Sequence, residues 1–193
     1  MTTANKITIC RILLVPLFVV EVLYYTDSGN EIHRLVALLV FGLASLSDAI
    51  DGYLARRYHQ HSELGRILDP LADKLLLISG VVLLSLKNEP YLDRIPMWLT
   101  VTILSRDVLL VIGLAIIYYT YGKITVRPIL IGKAATVLQM ACVLWVLFKW
   151  PFNVLLGIAI AAAVSTGISG IWYILDGIRR LSASPSSSAS TAD

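Results

Sequence analysis

The sequence predicts an all-α integral membrane protein, a bundle of six transmembrane helices. Two observations support this prediction: 57% of the 193 residues are apolar, and only 15% are charged. Water-soluble domains carry more charge than this. A spanning helix needs about 20 residues, so six spans would use roughly 120 positions and leave only short loops and a tail. A large soluble domain is therefore excluded.

The apolar stretches give one candidate span each. The first follows Lys6 and Arg11 without a small-residue cleavage pattern after it, which favours a retained helix over a signal peptide. The first five are interrupted by ionisable side chains. The last is uncharged from Trp150 to Leu175, which is long enough to cross a bilayer. The predicted spans are 7–25, 33–56, 66–86, 95–121, 129–149 and 153–178.

Lys and Arg are distributed unevenly between the two ends of these spans. Ten lie at one set of ends and four at the other. Because cytoplasmic loops carry the excess of basic residues, both termini and the loops at 57–65 and 122–128 are predicted to be cytoplasmic. We expect one transmembrane domain over 1–180 and a disordered tail, rich in Ser and Ala, over 181–193. The basic residues are dispersed, which argues against a nucleic-acid partner.

Four aspartates flank the second predicted cytoplasmic loop. Asp48 and Asp51 lie near the end of the second span, and Asp69 and Asp73 lie near the start of the third. Residues three or four positions apart share one face of a helix, so the two members of each pair lie on the same side. A short connection makes the two helices antiparallel neighbours. The four carboxylates are therefore predicted to converge at one membrane face.

Ionisable groups at membrane depth are costly and usually mark function. This cluster has three possible interpretations. It could be an ion-pair network with Lys74, Arg56 and Arg66, or a path for protons or cations. It could also bind hard divalent ions such as Mg²⁺ or Mn²⁺, which prefer oxygen ligands and assist phosphate displacement in pairs. Gly52 and Gly65 would let a ligand approach the backbone, and the planar guanidinium of Arg56 suits phosphate oxygens.

The spacing of these residues matches a known signature. The pattern D-x2-D-G-x2-A-R-x8-G-x3-D-x3-D runs from Asp48 to Asp73, and every fixed position agrees. In this respect the chain resembles the CDP-alcohol phosphatidyltransferase family, whose six-span architecture agrees with the predicted spans.

The resemblance implies a reaction and a set of site residues. Family members cleave the pyrophosphate of a CDP-linked lipid, transfer the phosphatidyl group to an alcohol and release CMP. By similarity, Asp73 would also act as the general base for the acceptor hydroxyl. The implied ligands of two divalent ions are Asp48, Asp51, Asp69 and Asp73. The residues implied to bind the CDP-lipid are Thr8, Gly52, Ala55, Arg56, Ser62 and Gly65.

Two further segments indicate the branch of the family. Asn5, Thr8 and Arg11 resemble the Asn-x-x-Thr-x-x-Arg segment of phosphatidylglycerophosphate synthases and CMP-forming cardiolipin synthases. Asn5 and Thr8 would equally suit an ordinary helix start. The Gly-Lys-x-x-Thr segment from Gly132 to Thr136 resembles a segment found in both types of synthase.

Three basic residues are candidates for binding the acceptor. Arg106 lies near the middle of the fourth span beside Asp107, so it either forms an internal ion pair or binds an anion. Arg127 and Lys133 flank the start of the fifth span, where topology alone would also place basic residues. Together the three would suit an anionic glycerol headgroup.

One departure concerns the acceptor. Glycerophosphate-using enzymes commonly carry a second arginine where this chain has Leu114, and the string from Ser105 to Val108 is closer to eukaryote-type cardiolipin synthases. We expect transfer from CDP-diacylglycerol to glycerol 3-phosphate at the cytoplasmic face, with Mg²⁺ or Mn²⁺, in a homodimer as the resemblance implies. Phosphatidylglycerol is the alternative acceptor. A cation or proton carrier and a membrane scaffold are the alternatives from other functional classes.

Overall fold

The computed structural model describes residues 3–58, 63–86, 90–121 and 130–182. Side chains are described for 9–47, 71–86, 90–113, 130–177 and a few positions near the end of the fourth helix. The described residues form six helices and contain no strand, which confirms the all-α prediction for this part of the chain. The helices are α1 (Thr3–Ser28), α2 (Glu31–Tyr58), α3 (Glu63–Ser85), α4 (Met97–Tyr121), α5 (Leu130–Leu147) and α6 (Phe152–Ser182).

Each helix covers one predicted span, with ends that differ by a few residues. Within the described residues, three helices contain a stretch long and apolar enough to cross a membrane: Ile9–Ser28, Leu130–Leu147 and Phe152–Gly177. The six-span topology and the cytoplasmic placement of both termini stay predictions. The helix α6 continues to Ser182, and the rest of the predicted tail lies outside the described residues.

The helices pack as two groups that meet mainly at α3 and also through a contact between α2 and α5. In one group α1 contacts α2 and α3, and in the other α6 contacts α5 and α4, while α3 also touches α4 and α5. The buried core includes Phe18 and Phe41, whose ring centroids lie 5.4 Å apart. Large apolar side chains are exposed on every helix. This outward apolar surface is the pattern of helices that contact lipid.

A tight turn joins α1 to α2 and brings the two helices side by side. Gly29 in this turn has a φ of 68°, a left-handed conformation that glycine adopts without strain. A Cβ at this position would lie 2.4 Å from Cε1 of Tyr91, so the ring of Tyr91 leaves no room for a larger residue. The turn therefore depends on glycine for two independent reasons.

A cluster of polar side chains joins three helix ends at the face opposite the signature residues. The carboxylate of Glu31 accepts hydrogen bonds from Lys149 Nζ at 2.5 Å, Arg34 Nε at 2.5 Å and the Tyr25 hydroxyl at 3.1 Å. Arg34 Nη1 also donates to the carbonyl of Leu147 at 2.6 Å. These contacts lower the pKa of Glu31 to about 2. The hydrogen bond from Lys149 has the largest effect, and the hydrogen bond from Arg34 has the second largest.

We expect the stability that Glu31 contributes to be lost in acid. Its folded pKa of about 2 lies below the ordinary value of 4.5, so the unfolded chain takes up this proton first as the pH falls. The contribution is complete above about pH 4.5 and disappears between about pH 4.5 and about pH 2. Thermal melting of the wild type and Glu31→Gln in detergent checks this prediction. The two melting temperatures should differ at neutral pH and approach each other in acid, and a difference that is independent of pH would contradict it.

Candidate active site

The signature residues lie in the last part of α2 and the first part of α3. Asp48 and Asp51 belong to α2, and Asp69 and Asp73 belong to α3. The helical backbone places the members of each pair on one face, as the sequence predicts. Asp73 is the only one of the four whose side chain is described. The convergence of all four carboxylates therefore stays a prediction.

No group of three or more His, Cys, Asp and Glu side chains that could hold a metal occurs within the described residues. Three of the four predicted metal ligands lie outside that set, so this observation does not bear on the predicted metal site. The side chains of several predicted CDP-lipid residues also lie outside the described part, namely Thr8, Ala55, Arg56 and Ser62.

Asp73 forms an ion pair with an arginine on α1. Arg11 Nη1 donates to Asp73 Oδ1 at 2.8 Å, and the side chain of Arg11 is 1% exposed while that of Asp73 is 28% exposed. The sequence pattern assigns Arg11 to the amino-terminal segment and to the cytoplasmic ends of the spans, and it does not identify this contact. The signal was nevertheless present, because a charge inside an apolar stretch needs a partner within the bundle.

Asp107 on α4 bridges two basic side chains. Its Oδ2 accepts a hydrogen bond from Lys74 Nζ at 2.5 Å, and its Oδ1 accepts one from Arg106 Nη1 at 2.9 Å. The side chain of Asp107 is 14% exposed. Lys74 had been a candidate partner for the aspartate cluster. Among the described side chains, Lys74 pairs with the carboxylate of the neighbouring helix, and its relation to Asp48, Asp51 and Asp69 lies outside that set.

The guanidinium of Arg106 is enclosed by α5 and α6. Its Nη2 donates to Ser169 Oγ at 3.3 Å, and its Cζ lies 5.7 Å from the centroid of the Tyr173 ring. A Cβ at Gly132 would lie 3.4 Å from Nη2, and one at Gly170 would lie 3.3 Å from Cγ. The two glycines therefore leave the space that the arginine occupies. The predicted internal pairing of Arg106 is present, while its anion-binding role stays a prediction.

A cavity of about 340 Å³ lies between α4 and α6 with Arg106 in its wall. Most of the other lining residues are apolar, including Val101, Leu109 and Ile171. On the α6 side, Gly167 has no side chain that would fill the cavity. The buried Nε of Arg106 has no hydrogen-bond partner within the described residues. The arginine thus borders open space on one side while its terminal nitrogens are engaged on the other.

The remaining candidates for the acceptor are only partly described. Lys133 is exposed on α5, directly after the Gly132 that abuts Arg106. Thr136 Oγ1 donates to the carbonyl of Gly132 at 3.1 Å, so the threonine of the Gly-Lys-x-x-Thr segment bonds to its own helix. Arg127 lies outside the described residues. The structure thus explains the glycine of this segment, and the role of Lys133 stays a prediction.

Comparison with known proteins extends the resemblance over nearly the whole chain. A family model described as CDP-alcohol phosphatidyltransferase matches residues 1–169. The probable phosphatidylglycerophosphate synthase of Mycobacterium tuberculosis is 34% identical over 185 residues, which cover 91% of this chain and 81% of that protein. The CDP-diacylglycerol--glycerol-3-phosphate 3-phosphatidyltransferase of Bacillus subtilis is 33% identical over 147 residues, 72% of each chain.

A cardiolipin synthase is also among the relatives. The CMP-forming enzyme of Streptomyces coelicolor is 37% identical over 136 residues, which cover 70% of this chain and 60% of that protein. The resemblance inferred from the signature is thereby confirmed. With its complete signature on α2 and α3 and a family match over most of its length, the chain belongs to the CDP-alcohol phosphatidyltransferase family.

Proposed function

We propose that the protein transfers the phosphatidyl group of CDP-diacylglycerol to glycerol 3-phosphate, forming phosphatidylglycerophosphate and CMP. The observation that carries this proposal is the complete signature in a chain that aligns over most of its length with relatives named for this reaction. Phosphatidylglycerol is the second candidate acceptor, because a CMP-forming cardiolipin synthase is also a relative and because Leu114 stands where a second arginine is common.

We place the reaction at the cytoplasmic ends of six membrane-crossing helices, with both termini on the cytoplasmic side. The uneven distribution of basic residues supports this orientation, and the outward apolar side chains support contact with lipid on all six helices. A charged nucleotide would then enter from water while the acyl chains of the donor stay in the bilayer. The resemblance also leads us to propose a homodimer, which cross-linking in native membranes tests.

Asp48, Asp51, Asp69 and Asp73 are the proposed ligands of two divalent ions. A donor set made of carboxylate oxygens fits Mg²⁺ or Mn²⁺. Asp73, the described member, keeps 28% of its side chain exposed while it is bonded to Arg11, so it can still be reached from the site. When bound, such ions neutralise charge on a pyrophosphate and stabilise its leaving group.

The protein's own residues would position the substrates and move one proton. We assign Asp73 as the base that takes the proton of the acceptor hydroxyl. Arg11 holds one oxygen of that carboxylate and so restricts its orientation. The proposed contacts of the CDP-lipid are Thr8, Gly52, Ala55, Arg56, Ser62 and Gly65.

Arg106, with Lys133 and Arg127, would bind the phosphate of the acceptor. Arg106 is the best supported of the three, because it lies in the wall of a cavity and belongs to the same helix bundle as Asp73. Its planar group matches phosphate oxygens in a way that an ammonium group does not.

Release of CMP tests the proposed function directly. Purified protein supplied with CDP-diacylglycerol, Mn²⁺ and glycerol 3-phosphate should release CMP, and parallel reactions should contain phosphatidylglycerol instead. A chelator should stop the reaction, and added Mg²⁺ or Mn²⁺ should restore it. Failure to release CMP with either acceptor, together with ion uptake by vesicles that contain the protein, would favour the carrier.

Arg106→Ala should weaken the use of the acceptor far more than that of the donor. Loss of a charge-assisted contact to phosphate should raise the KM for glycerol 3-phosphate by about 10- to 100-fold. The KM for CDP-diacylglycerol should change by less than about twofold. Steady-state CMP release measured against each substrate in turn checks this, and Arg106→Lys should fall between the two enzymes. An equal rise in both KM values would remove Arg106 from the acceptor site.

A further inference from the structure

We infer that Asp107 is a positioning residue for acceptor use, which fixes the guanidinium of Arg106 and connects it to the helix that carries Asp73. This inference rests on the proposed function and adds Asp107 to the residues proposed for use of the acceptor. Asp107 is not part of the family signature, and its role emerges only from its contacts with α3 and with its own neighbour, Arg106.

The contact between Arg106 and Asp107 requires a particular side-chain conformation. Consecutive residues on a helix point in directions about 100° apart and do not normally face each other. Arg106 nevertheless turns back so that Nη1 meets Asp107 Oδ1 at 2.9 Å. Its Nη2 meets Ser169 on α6 at 3.3 Å. Two acceptors on different helices therefore set the plane of the guanidinium.

The second oxygen of Asp107 extends this contact to α3. Lys74 Nζ lies 2.5 Å from Asp107 Oδ2, and Lys74 directly follows Asp73 in the chain. In the proposed reaction one small molecule has its phosphate at Arg106 and its hydroxyl at Asp73. Productive transfer requires these two groups to be held at a fixed separation, because small misplacements of reacting groups are costly. The bridge through Asp107 holds α3 and α4 in the required register.

A simpler role for Asp107 would be to neutralise Arg106. The two roles predict opposite signs for the same substitution. If Asp107 only cancelled charge, its removal would free the guanidinium and tighten the binding of an anionic acceptor. If Asp107 positions the guanidinium, its removal weakens productive binding of the acceptor even though the site becomes more positive.

The test uses Asp107→Asn in the full-length protein, reconstituted in lipid nanodiscs. The KM for glycerol 3-phosphate should rise about tenfold, while the KM for CDP-diacylglycerol should stay within about twofold. Asp107→Glu should recover part of the loss, because it keeps the charge. These ratios do not depend on the folded fraction, since KM is independent of enzyme concentration.

A double-mutant cycle shows whether Asp107 acts through Arg106. Adding Asp107→Asn to Arg106→Ala should raise the KM for the acceptor far less than Asp107→Asn does in the wild type, because the guanidinium to be positioned is already gone. Glu21→Gln is the matched control. Glu21 is another partly buried carboxylate with a basic partner, His33 at 2.7 Å, and it lies about 15 Å along α1 from Arg11. Both KM values should be unchanged in this variant.

The possible outcomes separate the two proposals. An unchanged or lower KM for the acceptor in Asp107→Asn would overturn the positioning role, as would additive effects in the double mutant. If the wild type uses phosphatidylglycerol instead, the same series measured with that acceptor decides the question. Absence of CMP release by the wild type with either acceptor would overturn the proposed function and this inference together.

Discussion

Asp73→Asn is expected to abolish turnover while leaving the protein folded. An asparagine has almost the same shape as aspartate and keeps a carbonyl oxygen that can accept the hydrogen bond from Arg11. It cannot take a proton from the acceptor hydroxyl, and its neutral oxygen is a poorer ligand for a hard divalent ion. General-base catalysis alone contributes about 10²- to 10⁴-fold, so CMP release should fall by at least that factor.

Three further measurements distinguish loss of the base from loss of donor binding or of folding. Much of the binding of radiolabelled CDP-diacylglycerol should remain in the variant, because three of the four proposed metal ligands are unchanged and the proposed base acts on the acceptor. Size-exclusion chromatography and thermal melting should show an intact protein. Glu21→Gln provides the control for the exchange of a carboxylate for an amide on a different helix, α1, and it should retain wild-type turnover. Turnover of Asp73→Asn within tenfold of the wild type would remove Asp73 from the base role.

Arg11→Met should produce the second large effect, a fall in kcat of about 100-fold. Arg11 is almost fully buried, and its guanidinium holds Asp73 at 2.8 Å. Methionine fills much of the same volume without charge, so Asp73 would lose a charged group that restricts its orientation. Misplacement of a reacting group by about 1 Å can cost about 100-fold in rate. CMP release at saturating concentrations of both substrates measures the change.

A purely structural role for Arg11 predicts a different result. Removal of one partner from a buried ion pair is generally destabilising, so melting temperatures should be recorded beside the rates. Arg11→Lys keeps the charge and should recover part of the kcat, even though it loses the planar guanidinium. If Arg11→Met lowers the melting temperature while kcat per folded molecule stays at the wild-type value, Arg11 supports the bundle and not the base.

The helices and the location of the site could be predicted from sequence because both depend on local patterns. Apolar stretches interrupted by polar breaks determine helices, and the signature spacing puts Asp69 and Asp73 one helical turn apart on α3. The predicted ends of the helices agree less well with the structure. The helix α1 reaches Ser28, beyond the predicted end at residue 25, because the turn at Gly29 and not the last apolar residue ends it.

The partners of the charged residues could not be predicted in the same way. Arg11 and Asp73 are 62 positions apart, and Lys74 and Asp107 are 33 apart. The sequence indicates that each of these charges needs a partner, but several opposite charges were available to each. Packing of α3 against both α1 and α4 selects the pairs. Helical periodicity contains no information about that choice.

If α3 and α4 both cross the bilayer, as proposed, the bridge between Lys74 and Asp107 has a consequence for the insertion of the chain. A single charged side chain near the middle of a spanning helix opposes insertion by about 2.5 to 3.5 kcal/mol. With the six spans proposed, α3 and α4 would each meet at least that penalty if they left the translocon one after the other, because α3 also carries Asp73 and α4 also carries Arg106. As a hairpin with the two side chains already joined, they would enter together as a less polar unit. The same contact would then help to determine the order in which the segments are integrated during synthesis.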